Sequence, residues 1–273
     1  MPFGAVPEVL LDVALALLWI GGGILLALAV PAVVRRLIRP DASEAGPDGY
    51  RHSLATRDLS QTVGFRVAAL YGVILALVYA QELSGFNDVR SGFAEEAVRV
   101  ADVWHDAGRH GGPSAPVIRT AMRDYVEIVS GPEWELLGTE RRLSEEGWAA
   151  RDRAYQAALN LQPANLREAR LRDQMLDRLT DIARFRQLRG EVAHTRSGGV
   201  FWIPAIAGLA LVSIPFFVFA PTRANRLLIS SFGAFSGLIL FLIAAFSNPF
   251  SHPFRVAPDP FTTLLATDLK AAP

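Results

Sequence analysis

The feature that most constrains this chain is a set of long stretches without charge. Val13 to Val34 carries no Asp, Glu, Lys or Arg over 22 positions, Ser197 to Thr222 none over 26, and Leu227 to Pro253 none over 27, His252 being the only titratable side chain. A helix rising ~1.5 Å per residue needs about 20 residues to cross a hydrocarbon core, so each run is long enough to span a bilayer. A fourth run, Leu59 to Gln81, is broken only by Arg66. Its uncharged part, Val67 to Ala80, is short, so it spans only if Arg66 reaches the interface or faces a bundle interior. Between the second and third runs the sequence turns polar.

The fold this predicts is all-α, with four transmembrane helices and a helical soluble domain inserted between the second and third. Its parts are a first membrane helix at 9–34, a short polar loop at 35–58, a second helix at 59–81, the insertion at 82–196, further membrane helices at 197–222 and 227–248, and a Pro/Phe-rich tail at 249–273. The first run is not a signal peptide in this reading. No positive residue precedes it, it is long for such a segment, and Arg35, Arg36 and Arg39 follow it as a stop-transfer flank. Arg35, Arg36, Arg39, Arg51 and Arg57 in the first loop, with Arg223 and Arg226 between the last two helices, put both short loops in the cytoplasm and the insertion outside it. Against this count stand Arg178, Arg184, Arg186, Arg189 and Arg196 on the opposite side.

The insertion reads as helices separated by breakers. One is predicted over Phe86 to Arg109, stopping at Gly111, Gly112 and Pro113. In the next, Ile118, Met122, Tyr125, Val126 and Val129 recur at three and four residues and form an apolar stripe, ended by Gly131 and Pro132. A third lies between Pro132 and Leu161. A last helix, Leu166 to about Val192, places Leu171, Met175, Leu179 and Ile182 on one face, surrounded by acids and arginines. These stripes are the core of a helical bundle. After the fourth membrane segment, Pro249, Pro253, Pro258 and Pro260 cannot continue a helix. The tail is therefore predicted to be extended and ordered, with Phe250, Phe254 and Phe261 returning to the protein or the membrane interface.

Charge and motif content exclude several function classes. Basic and acidic residues number 27 each, and of the basic ones only Lys270 is lysine. The arginines alternate with acids along predicted helices, so nothing marks a nucleic-acid surface. The chain has no cysteine, hence no thiolate metal site. There is no phosphate-cradling glycine loop, no His-Glu-x-x-His helix and no Gly-x-Ser-x-Gly elbow. Asp102 and His105 share a helical face with Asp106 and His110 nearby, but His110 falls off that face and no second cluster completes a shell, so a solvated face is the better reading. No catalytic residue, metal or cofactor is expected, and the chain is not read as an enzyme.

Spacing inside the second membrane segment is more informative. Gly64, Ala68, Gly72, Ala76 and Ala80 fall at strict four-residue intervals beside Phe65 and Arg66, which predicts a helix face of nearly bare backbone from end to end. Gly233 and Gly237 make a shorter face of the same kind, and Gly21, Gly22 and Gly23 weaken the first helix. Such a face either packs within the chain or lines a conduit or an oligomer contact.

Several motifs carry a resemblance. They are Val63 to Phe65 continuing through Leu70, Tyr71 and Gly72, the acid at Glu82, Tyr125 with Glu133 and Trp134, and Phe201 with Trp202 before the third membrane segment. The most specific is the tail, Pro249 and Phe250 followed by Phe254, Arg255, Val256, Pro258, Pro260 and Phe261. In these the chain resembles the bacterial bestrophin-like domain proteins over most of its length. That family is similar in layout to the bestrophins, pentameric anion channels whose second membrane helix lines the pore and whose insertion is cytoplasmic. The resemblance implies a multi-pass protein of the bacterial cytoplasmic membrane, a homo-oligomer, and chloride or another anion as the conducted species. The alternative is a non-conducting scaffold or sensor whose insertion binds a partner protein. The lipid bilayer is a partner in both, and nucleic acid in neither.

Overall fold

A computed structural model describes residues 5–38, 54–194 and 199–269, with side chains from Val9, Ala55 and Trp202 onward in the three stretches. Arg39, Arg51, Arg196, Ser197 and the side chain of Phe201, all used in the sequence reading, lie outside the described residues. Every regular element among those described is helical. In order they are α1 (Ala5–Leu37), α2 (Leu54–His110), α3 (Ala115–Ser130), α4 (Pro132–Thr139), α5 (Glu145–Leu159), α6 (Leu166–His194), α7 (Gly199–Ser213) with a 3₁₀ turn (Ile214–Val218), α8 (Arg223–Phe246) and α9 (Asp259–Thr267).

Three of these, α1, α2 and α8, are long and apolar enough to cross a membrane. The third apolar run departs from expectation. It forms not one long helix but the 15-residue α7 followed by five residues of 3₁₀ turn. Pro215 is the physical reason. It has no N–H to give an α-helical bond and it disfavours α geometry in the residue before it. A second departure is α2, which runs unbroken for 57 residues where two helices were expected. Nothing between Gln81 and Phe86 is a strong breaker, since a lone Gly85 costs a helix only about 1 kcal/mol. At ~86 Å, α2 is more than twice the ~30 Å of a hydrocarbon core, so its polar half extends beyond the membrane.

The chain divides into two compact units. Unit 1 comprises residues 1–84 and 197–247, and unit 2 comprises 85–196 and 248–273. In unit 1 the closest helix approach is α1 on α8. A Cβ on Gly237 would stand 2.9 Å from the Ile20 Cα, and one on Gly233 would stand 2.9 Å from the Ile24 Cα. A Cβ on Gly23 would in turn meet the Gly237 Cα at 2.9 Å. Gly23 is thus a packing position rather than a weakness, while Gly21 and Gly22 face open space. The rest of the unit 1 core gathers Tyr71 and Leu75 from α2, Ala205, Leu209 and Val212 from α7, and Leu240 and Ile243 from α8.

Unit 2 buries the predicted stripes. Ile118, Met122, Tyr125, Val126 and Val129 of α3 have no exposed surface, nor do Met175, Leu179 and Ile182 of α6, whereas Leu171 is half-buried. Gly111 and Gly112 end α2 with φ of +73° and +79°, values that glycine adopts without steric cost. Over its described residues, 249–269, the tail is not extended throughout, because it contains α9. Pro260 sits in the first turn of α9, where a missing N–H leaves no bond unmade. Phe250 and Phe261 are buried and meet Phe93 at 6.2 and 6.1 Å between ring centroids, and Phe93 lies 4.5 Å from Trp134. Phe254 remains exposed.

Candidate functional site

The four-residue ladder of α2 does not form one continuous face. Four residues turn a 3.6-residue helix by ~400°, so each rung advances ~40° and the ladder winds around the axis. Gly64, the first rung, lies 3.3 Å (as a Cβ) from the Pro215 side chain, and Ala68 packs against the unit 1 core. By Gly72 the ladder has come round to the outside. Nothing lies within 4 Å of a Cβ there, and Ala76 and Ala80 are exposed as well. The chain instead packs α2 through Tyr71, whose ring fills the space above Gly208 of α7, and through Leu75. Phe65 is 78% exposed, and Arg66 beside it is exposed with no ion pair or hydrogen bond among the described residues.

The irregular end of the third apolar run is satisfied by two polar side chains of unit 1. The Ser60 hydroxyl donates to the Pro215 carbonyl at 2.6 Å. Arg35, at the end of α1, donates to the carbonyls of Phe217 at 2.9 Å, Phe219 at 2.6 Å and Phe216 at 3.3 Å. Backbone that leaves α geometry among apolar residues needs such partners, because apolar neighbours offer none. Arg35 therefore has a structural role besides that of a flanking charge. The sequence hinted at the need through Pro215 but not at the partner, which is 180 residues distant.

Unit 2 holds a buried ionic network. Arg186, with no exposed surface, reaches both Glu133 oxygens, Oε1 at 2.8 Å, and donates to the Ser144 carbonyl at 2.7 Å. The Ser144 N–H and hydroxyl donate to Glu133 Oε2 at 3.0 and 2.7 Å, while its hydroxyl also accepts from Gly147 N–H to cap α5. Gly147 makes room for this guanidinium, since a Cβ there would stand 2.7 Å from the Arg186 Cζ. Arg189 pairs with Glu96 at 2.9 Å and comes within 3.4 Å of Glu133, and Tyr125 donates to Glu96. Burial raises the Glu96 pKa against the pull of Arg189 and Tyr125. Burial and the Glu96 charge together raise Tyr125, which keeps its proton to donate. Burial opposes the charge on Arg189, but Glu96, Tyr125 and Glu133 more than compensate and raise its pKa.

Two arginines read as part of a solvated or flanking group, Arg186 and Arg189, are thus core residues. Arg178 pairs with Asp102 at 3.2 Å and with Asp106, and Asp106 is itself buried. The solvated-face reading of Asp102 and Asp106 is corrected accordingly: they anchor α6 to α2. Among the described residues no three His, Asp or Glu side chains come together to hold a metal ion.

The sequence matches the bestrophin-like domain over residues 24–261, from the middle of α1 to the first turn of α9. The chain belongs to the bestrophin-like domain family. Comparison with curated proteins and with solved structures finds no match to either. Membership together with the three long apolar helices makes this bestrophin-like chain an integral membrane protein.

The matched region takes in the tail as far as Phe261, and the fold explains why these residues are specific. Trp134 Nε1 donates to the Val256 carbonyl at 3.1 Å, Arg255 donates to the Trp134 carbonyl at 3.4 Å, and Val256 N–H returns to the Pro249 carbonyl at 2.8 Å. A Cβ on Gly138 would meet the Phe250 carbonyl oxygen at 2.7 Å, so α4 is cut to fit this segment. Phe250 and Phe261 thus belong to the unit 2 core and Arg255 bonds to its backbone, whereas Phe254 stays outside that core.

Proposed function

We propose that the bestrophin-like chain is a subunit of a homo-oligomeric anion conduit in which α2 faces the ion pathway. The observation that carries this reading is the open side of α2. Intrachain packing uses Tyr71 and Leu75 and leaves Gly72, Ala76 and Ala80 uncovered, with Phe65 and Arg66 exposed on the same helix. Small residues let helices of neighbouring copies approach closely. A ring of Arg66 side chains would attract anions as charged rings do in channels. In this reading four segments cross the bilayer. α7 rises ~22 Å and its 3₁₀ turn adds ~10 Å, together the thickness of a hydrocarbon core. The short-loop arginine count favours an extracytoplasmic unit 2.

Purified protein should form a closed oligomer and, in liposomes, pass chloride in preference to sodium. Arg66→Glu should reduce or reverse that preference with the oligomer intact. Well-folded oligomer that passes no ion at any pH or calcium level would sink the conduit and favour the scaffold. Unaltered selectivity in Arg66→Glu would remove Arg66 from the pathway. One observation supports the scaffold: a groove of about 440 Å³ between α2 and α6, walled by Val89, Phe93, Phe185, Leu188 and Val192, suits a partner's apolar side chains.

A further inference from the structure

The corner where α2 turns into α3 holds a second cavity in unit 2, of about 480 Å³, within the roughly 300–1,000 Å³ typical of small-molecule pockets. Its walls include Trp104, Pro116, Arg119, Thr120, Arg123 and Leu269, and among the described residues no Asp or Glu side chain lines it. The two arginines are one helical turn apart on α3, so both guanidiniums serve one side of the cavity. Arg119 is held flat, its Cζ 3.5 Å from the Trp104 ring centroid. It makes no ion pair among the described residues, and its Nε–H is shut off from solvent with no acceptor. Arg123 is fixed by Glu127 at 2.9 Å through Nε, which leaves its terminal nitrogens unengaged among the described residues. The neighbouring Gly111 and Gly112 place no side chain in the opening.

We propose that this cavity binds the phosphoryl group of a small organic phosphate. A doubly charged, many-lobed acceptor matches two adjacent guanidiniums and the Thr120 hydroxyl. The apolar wall of Trp104, Pro116 and Leu269 provides for an organic part, which inorganic phosphate lacks. The phosphoryl group comes either from a soluble ester or from an anionic lipid headgroup. The site involves none of the α2 residues assigned to conduction, and it stands or falls independently of them.

The test uses the full chain in nanodiscs of phosphatidylcholine, with phenyl phosphate as probe and titration calorimetry as readout. Phenyl phosphate should bind more tightly than inorganic phosphate, and phenol should not bind. Arg119→Met and Arg123→Met should each weaken binding by about tenfold or more, as loss of a charge-assisted hydrogen bond does. Arg119→Lys should recover part of the loss. The Arg123 side chain is 45% exposed and makes only an exposed i,i+4 pair, so its variant should melt at the wild-type temperature, which separates lost binding from lost fold. Nanodiscs doped with phosphatidic acid distinguish the sources. Lost phenyl phosphate binding there assigns the group to the bilayer, and unchanged binding assigns it to a soluble ester. Absence of wild-type binding in phosphatidylcholine, or equal affinity in folded Arg123→Met, overturns the proposal.

Discussion

Replacing Glu133 by glutamine should be among the most damaging single changes in unit 2. Glu133 has no exposed surface and accepts from Arg186 and from both donors of Ser144, with Arg189 at 3.4 Å. Glutamine keeps the shape but turns one oxygen into an NH₂ that faces donors, and it leaves two buried guanidiniums against the single carboxylate of Glu96. Breaking a buried pair from one side costs about 3–5 kcal/mol, because the remaining charge is uncompensated. At roughly 2–4 °C per kcal/mol for a protein of this size, the melting temperature should fall by roughly 6–20 °C. The control is Asp124→Asn, which breaks the 2.9 Å pair with Arg153, whose side chains are 40% and 51% exposed. Such pairs contribute at most about 1 kcal/mol. Unfolding followed by tryptophan fluorescence in detergent reports both, with Trp134 beside the network. Adding Arg186→Met to Glu133→Gln should recover part of the loss, since Glu96 and Arg189 then balance. If Glu133→Gln melted no lower than Asp124→Asn, the network would not carry the energy assigned to it.

Gly237→Ala should cost about 1–3 kcal/mol or more through the backbone contact with α1, while Gly22→Ala should be neutral or slightly stabilising, and thermal melts of the two compared directly would expose an error. Glu96 has its pKa raised above the ordinary 4.5, so it holds its proton more firmly when folded; its contribution is full below 4.5 and declines as pH rises through the folded value. The stability of wild type relative to Glu96→Gln should therefore fall from pH 4.5 toward neutrality, and a flat or rising difference would contradict that sign. Phe261→Ala removes a fully buried ring and should cost about 3–5 kcal/mol, and truncation beyond Asn248 should lower folded yield; unchanged melting would make the tail dispensable. For orientation, Gln174→Cys on the exposed side of α6 should react with an impermeant thiol reagent in intact cells, and Ala224→Cys in the first turn of α8 should not; the reverse pattern would invert the topology.

The apolar runs and stripes were legible in the sequence because burial in lipid or in a helical core acts on residue type at a fixed period. Val13 to Val34 and the Ile118–Val129 stripe needed nothing but spacing to be placed. Glycine was legible as close packing at Gly233 and Gly237, which stand one helical turn apart, but not at Gly23, which nothing local separates from Gly21 and Gly22. The α2 ladder was visible as composition and misleading as geometry, since a four-residue repeat drifts around a 3.6-residue helix. The ionic network was hidden altogether. Arg186 and Arg189 stand among many arginines of α6, and nothing local separates a guanidinium aimed at solvent from one aimed at Glu133, 53 residues earlier. The capping of the Phe216, Phe217 and Phe219 carbonyls by Arg35, and the seating of Phe250 and Phe261 around Trp134, were likewise decided by tertiary contact alone. Apolar burial is a property each residue brings with it, whereas pairing of charges and capping of carbonyls depend on which distant segment the fold brings within hydrogen-bonding distance.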